Sequence, residues 1–199
     1  MKHLKQLREL KKHSSNKRLA AEEWNKPWQT LIATALSART KDDTTIPVSN
    51  ELFSKYNIVE KLAKAKIKDV EKIIRRVNYY KTKSRNIINC AKILSKRYNG
   101  KPPLDFNKLT ELPGVGRKTA NVFLSERGKD AIGVDTHIAY ISQKLGWTKS
   151  SKPEIIEEDL KKLFPRKHWS SLNPIVVKFG QTHTNRKKKD ELLNKIKNQ

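Results

Sequence analysis

Leu112-Pro113-Gly114-Val115-Gly116-Arg117-Lys118-Thr119-Ala120 is the stretch from which the rest of the chain can be read. Before it runs Asp105-Phe106-Asn107-Lys108-Leu109-Thr110-Glu111, a short helix with Asp105 as its N-cap. Pro113 stops that helix, since it has no N–H and restricts its neighbour. Gly114 and Gly116 permit a tight turn with backbone torsions that a side chain would resist. Arg117 opens a second helix through Thr119, Ala120, Val122, Phe123 and Leu124. Residues 105–127 are therefore expected to form a helix, a hairpin and a helix. The turn presents glycine N–H groups and a helix N-terminus, an arrangement that attracts an anion such as a phosphate. Pro-Gly-x-Gly also occurs as a plain turn between packed helices. Two further features favour the anion site: the charge of the chain, and a second motif, Val134-Asp135-Thr136-His137-Ile138.

The chain has 44 Lys plus Arg against 20 Asp plus Glu in 199 residues, a net charge of +24. That excess suits a polyanionic partner, nucleic acid first and an anionic membrane second. The basic residues are spread along the chain and not gathered on one amphipathic helix, which argues against a membrane-surface protein. Cys90 is the only cysteine, so no intramolecular disulfide and no all-cysteine zinc or iron–sulfur site can be built. Its neighbours Ile87, Ile88 and Ala91 mark it as a buried structural thiol. The histidines have no metal-ligand spacing, and no metal site is expected. Met1 to Lys12 is basic, with Leu4, Leu7 and Leu10 on one helix face, and no signal-peptide apolar run follows. Nothing approaches the ~18 consecutive apolar residues of a membrane span. An intracellular location is expected: cytoplasm and nucleoid, or nucleus or mitochondrion in a eukaryote.

In chain order, Trp28, Leu31, Ile32, Ala35 and Leu36 follow Pro27 at helical spacing. The polar run Ser37 to Asp43 ends that helix. Another helix carries Leu52 and Phe53. Asp69 is placed to cap a helix with Val70, Ile73, Ile74 and Val77. Asn78-Tyr79-Tyr80-Lys81 interrupts the pattern. Ile87, Ala91, Leu94 and Tyr98 mark the next helix, closed by Asn99-Gly100. Beyond the hairpin, Arg127 to Asp130 is a turn and Ala131 to Val134 a short extended link. Asp135 falls at the N-cap of a helix holding Ile138, Ile141 and Leu145. Helices are also expected over Glu154 to Phe164, from Pro174 through Phe179, and along the charged tail from Asn185 to Gln199. Strand-like alternation is absent almost throughout, and the fold class read here is all-α.

Leu112–Asn121 and Val134–Ile138 together resemble the endonuclease III branch of the helix-hairpin-helix DNA glycosylases. Ser37 to Asp42 and Tyr79 to Lys83 fall where that family has its other DNA-facing loops. The resemblance covers roughly residues 20–183. It implies two helical lobes flanking a DNA-binding cleft: a helical barrel over 20–129, and a second lobe built from both termini, 1–19 with 130–199. It further implies a monomer that acts on double-stranded DNA carrying a damaged base or an abasic site.

The chemistry can be weighed on the residues themselves. Removing a base requires breaking the bond at the sugar C1′. An amine can attack there, form an imine, and let the strand break by β-elimination. Lys118 offers an amine at a helix start, where the helix dipole and neighbouring Arg117 disfavour a further positive charge. Asp135 would stabilise positive charge developing on the sugar and relay protons to and from the amine. Taken singly, Lys118 reads equally as a phosphate-binding lysine and Asp135 as an ordinary N-cap; the two motifs together favour catalysis.

The resemblance implies a bifunctional glycosylase and abasic-site lyase of base-excision repair, with oxidised or reduced pyrimidines as substrate. Within the superfamily 8-oxoguanine, uracil and mismatched thymine stay open. A non-catalytic helix-hairpin-helix DNA-binding module is the reading from another class, and Lys118 with Asp135 separates the two. Gly114, Val115 and Gly116 would donate N–H groups to a phosphate, Arg117, Thr119 and His137 would lie at the DNA, and the hairpin carbonyls could hold a monovalent cation. Arg39 stands where bacterial relatives commonly have Gln, filling the gap left by an everted nucleotide. Tyr79 takes the place of an apolar wedge and can stack. His137 is also readable as a helix-start residue. Family members usually end with four cysteines around an iron–sulfur cluster. Here Gly180-Gln181-Thr182-His183-Thr184 is followed by Asn185-Arg186-Lys187-Lys188-Lys189, so no such cluster is expected.

Overall fold

The computed structural model describes residues 1–22 and 24–198. These form helices and connecting turns, with no strand among the described residues. They are α1 (Lys2–Lys12), α2 (Pro27–Ser37), α3 (Asp42–Lys55), α4 (Val59–Ala63), α5 (Ile67–Ile74), α6 (Tyr80–Tyr98), α7 (Phe106–Thr110), α8 (Arg117–Glu126), α9 (Thr136–Leu145), α10 (Pro153–Leu163), α11 (Trp169–Thr182) and α12 (Arg186–Asn198), with a 3-10 turn at Arg166–His168. No helix among the described residues is long and apolar enough to cross a membrane. The chain divides into two compact units, residues 18–127 and residues 1–17 with 128–199.

The 18–127 unit is built around α2. Every residue from Trp28 to Leu36 is buried, so this helix is wrapped on all sides and not on one face alone. Its two threonines are satisfied locally: Thr34 Oγ1 donates to Thr30 O (2.7 Å), and Thr30 Oγ1 accepts from Trp24 N (3.0 Å). Leu31, Leu36, Leu52, Leu62, Ile74, Ile87, Leu94 and Phe123 are fully buried. Trp24 and Trp28 both set their rings edge-on to Phe53. Cys90 lies in this core, and burial pushes its thiol pKa up to about 12, which leaves it inert.

The other unit packs α1, α9, α10, α11 and α12 around Leu10, Ile138, Ile141, Ile156, Leu172, Val176 and Phe179. Two of its buried polar side chains pair across elements. Trp147 Nε1 donates to Gln6 Oε1 (2.7 Å), and Asn173 Nδ2 donates to Gly133 O (2.8 Å). The basic tail helix α12 buries Leu193 and Ile196. It is tied to α9 by Asp190, which accepts from the Tyr140 hydroxyl and pairs with Lys144 at 2.9 Å. Those two donors, Tyr140 first, hold the Asp190 carboxyl below its ordinary pKa.

Three helix starts differ from the sequence reading. α3 begins at Asp42, inside what read as a polar break; Asp42 and Asp43 occupy its first turn, where carboxylates meet the positive helix end. α5 begins at Ile67 with Lys66 at the N-cap, so Asp69 is a first-turn residue and not the cap. α11 begins at Trp169, and Pro174 lies inside it. Packing overrides the proline there: Leu172 is fully buried, and Trp169 Nε1 donates to Phe164 O at 2.9 Å. The short α4 escaped the periodicity because five residues are too few to establish one.

Candidate active site

The hairpin is assembled from α7 and α8. Asp105 caps α7, its Oδ1 accepting from Lys108 N at 2.9 Å. Leu109 and Leu112 are buried and anchor the approach. Gly114 then turns with φ +80, and a Cβ there would come within 3.0 Å of Asn86 on α6. Gly116 behaves otherwise than expected. Its φ of −91 is open to any residue, and a Cβ there would meet nothing within 4 Å. Only Gly114 is demanded by the fold. Gly116 faces open space at the start of α8.

The geometry places the expected DNA contacts Val115 and Thr119 as follows. The Val115 N–H is taken up inside the turn, donating to Leu112 O at 3.0 Å, and its side chain is buried. The Thr119 side chain is 5% exposed and points into the core. Arg117 sets its guanidinium over the Phe106 ring, 5.3 Å from the centroid. What remains outward is the exposed backbone at Gly114 and Gly116 and the start of α8, which has no side-chain cap. Early N–H groups of a helix have no intrahelical acceptor, so this end suits an anion. Substitution separates the two glycines. Gly114→Ala is expected to cost about 2 kcal/mol or more through its positive φ and the Asn86 contact. Gly116→Ala should leave stability within about 0.5 kcal/mol while weakening duplex binding, because the new methyl stands where a phosphate would approach. Thermal melts and duplex titrations check both.

Lys118, half-buried, is the second residue of α8. A second lysine, Lys83 on α6, lies within electrostatic reach of it. Burial first, and the charge of Lys118 second, lower the Lys83 pKa to about 8. The Lys83 ammonium donates to Leu36 O (2.8 Å), Ala38 O (2.6 Å) and Thr40 Oγ1 (3.4 Å). Sequence reasoning placed Lys83 only in a DNA-facing loop. Its helical phase was the available signal: 83, 87, 90 and 94 recur on the buried face of α6.

Arg39 and Tyr79, singled out separately, stand side by side. Arg39 Nη1 donates to the Tyr79 hydroxyl at 3.2 Å, and its guanidinium lies 5.8 Å from that ring centroid. Both are exposed. Both have left-handed backbone, φ +56 and +59, a region that costs a side-chain-bearing residue about 1 kcal/mol or more. Asn78 braces the two loops: its Nδ2 donates to Arg39 O, and its N–H donates to Thr40 Oγ1 at 3.1 Å.

In the other unit, Asp135 caps α9. Its Oδ1 accepts from Ile138 N at 2.9 Å, and the carboxylate is half-buried. His137 is packed against α11, its ring occupying the space that a Cβ on Gly180 would need. The helix-start reading of His137 fits this placement, and its ring is committed to packing inside the unit. Among the described residues no group of three or more His, Cys, Asp or Glu is placed to hold a metal ion.

An uncapped helix start behind a tight hairpin, a first-turn lysine and a braced pair of strained loops define a nucleic-acid-facing site on an all-helical unit. Residues 32–166 match the family model described as HhH-GPD superfamily base excision DNA repair protein. The chain belongs to that superfamily. It is 43% identical to endonuclease III of Thermotoga maritima over 156 residues, 78% of this chain and 73% of that protein. It is 36% identical to endonuclease III of Bacillus subtilis over 161 residues, 79% of this chain and 73% of that one. Among solved structures, a trapped endonuclease III–DNA covalent intermediate matches with TM-score 0.84 at 33% identity, covering 93% of this chain and 88% of that chain.

Proposed function

We propose that this base-excision-repair DNA glycosylase and abasic-site lyase removes oxidised or reduced pyrimidines, with Lys118 as nucleophile and Asp135 as its electrostatic and proton-transfer partner. The partner is double-stranded DNA containing a damaged base or an abasic site. The observation that carries the residue assignment is the position of Lys118: an amine in the first turn of a helix whose start has no side-chain cap. The flanking helix end would hold a backbone phosphate while the amine addresses the adjacent sugar.

In this scheme the Lys118 amine forms a bond to C1′ as the glycosidic C–N bond breaks. The electron pair leaves with the base, which takes up a proton. The nitrogen gives up one proton, and its lone pair then forms the C1′=N bond as the C1′–O4′ ring bond breaks and O4′ takes up a proton, leaving an iminium. Loss of a C2′ proton then expels the 3′ phosphate, and water releases the enzyme from the sugar. Asp135 uses Oδ1 in the helix cap, and its charge opposes the cationic character that develops at C1′. A panel of duplexes, each with one lesion, scored separately for base release and strand nicking, tests the substrate assignment. Release of pyrimidine lesions at rates above 8-oxoguanine, uracil and mismatched thymine supports it, and the reverse order refutes it.

The reaction needs no iron–sulfur cluster. The cysteine set that such a cluster needs does not fit this chain, whose single cysteine is buried in α6. Purified protein is expected to be colourless, to contain no stoichiometric iron and to keep its activity after chelation. A visible absorption band with about four irons per chain would contradict this.

A further inference from the structure

We propose that Lys83 is a positioning residue of lesion recognition, its ammonium holding the 37–41 loop in the shape that presents Arg39. The proposal rests on the DNA-repair reading above. Its basis is a set of contacts made entirely within the 18–127 unit.

The C-terminus of α2 has no basic residue in its last turn, and its C-cap Ala38 adopts neither a glycine-type nor a left-handed cap. The last carbonyls of a helix need outside donors, and a cation there also meets the negative end of the dipole. Lys83 supplies both from another helix. Its three donors meet three oxygens on the end of α2 and on the loop beyond: Leu36 O, Ala38 O and Thr40 Oγ1. Arg39 lies between the second and third of these anchors, with left-handed backbone. Nothing in Arg39 itself favours that conformation; the anchors on either side impose it. The second strained segment is joined to this loop by Asn78, whose N–H donates to Thr40 Oγ1 and whose Nδ2 donates to Arg39 O.

A half-buried ammonium is a costly way to stabilise a fold, because desolvation opposes it and an apolar side chain of similar length would pack there without that cost. The fall of the Lys83 pKa to about 8, from burial and the nearby Lys118 charge, records the opposition. A cation is better suited to orienting a loop, where charge-assisted bonds enforce direction.

The test measures binding of two duplexes at one salt concentration: undamaged DNA, and DNA with a tetrahydrofuran abasic analogue that cannot form an imine. Lys83→Met keeps the length and removes the charge and donors. It is expected to lower the preference for the abasic duplex about tenfold. Arg39→Ala should lower it by a similar factor, and adding Lys83→Met to Arg39→Ala should lower it by no more than about twofold further, since both act through one loop. Lys83→Arg, with charge and donors restored, should recover preference over Lys83→Met. If Lys83 only supports the fold, both duplexes weaken together with the thermal midpoint and their ratio stays at the wild-type value; that result, or losses that multiply in the double variant, overturns the proposal. Should Lys83→Met fail to fold, Lys83→Gln, which keeps N–H donors without charge, is read by the same ratio. A wild-type protein with no preference for the abasic duplex would overturn the repair reading itself. A wild type with preference and an unaltered Lys83→Met would overturn only the role of Lys83.

Discussion

Lys118→Gln should bind an abasic-analogue duplex within about threefold of the wild type and yet form no borohydride-trapped adduct. Glutamine keeps a similar length and can still donate to a phosphate, but it has no nucleophilic amine. Nicking of an abasic duplex should fall on the order of 10⁴-fold or more, the scale on which loss of a covalent nucleophile is felt. Stability should stay within about 0.5 kcal/mol, because Lys118 is only half-buried and stands near a second positive charge at Lys83. The adduct formed by the wild type should map to the peptide containing Lys118. Lys83 supplies a sharp internal control: it is a nearby amine of lowered basicity, but its ammonium is committed to three oxygens. Trapping at Lys83, or a wild-type nicking rate in Lys118→Gln, would return Lys118 to phosphate binding alone.

Much of the fold was legible because its signals are local. Pro27 and the apolar positions behind it mark α2, Asn99-Gly100 closes α6 with two successive left-handed residues, and Asp105 and Asp135 both cap the helices they precede. The start of α11 has a different cause. Pro174 lies within α11 because burial of Leu172 and the indole hydrogen bond of Trp169 extend the helix ahead of it. No reading of local propensity contains those partners.

The candidate site divides in the same way. Lys118 and Asp135 stand out in the sequence because each sits inside a motif with its own turn or cap. A Gly-Val-Gly string does not reveal that the Val115 N–H closes the turn on Leu112. The pairing of Arg39 with Tyr79 joins positions forty residues apart, and no helical period spans that distance. Lys83 shows how a legible sign can be overlooked. Its spacing placed it on the apolar face of α6, while its charge suggested the surface, and the carbonyls that reconcile the two belong to α2.

In the proposed scheme Asp135 carries two duties that substitution can pull apart, as capping needs an oxygen and electrostatic stabilisation needs a charge. Asp135→Asn should keep the cap on α9, because an amide oxygen can accept from Ile138 N as Oδ1 does. Its stability should therefore lie within about 0.5 kcal/mol of the wild type, and its affinity for an abasic-analogue duplex should hold. Turnover should nevertheless fall by ~100-fold or more, with slower single-turnover base release and slower trapping, as expected when a main charge-stabilising or proton-transfer group is lost. Asp135→Ala removes charge and cap together. It should match Asp135→Asn in lost turnover and, in addition, lose ~1 kcal/mol of stability from the uncapped helix. Melting curves and single-turnover rates for the pair separate the duties. A wild-type rate in Asp135→Asn alongside a destabilised and slow Asp135→Ala would show that the residue acts only as a helix cap, and the counter-charge would have to come from another group.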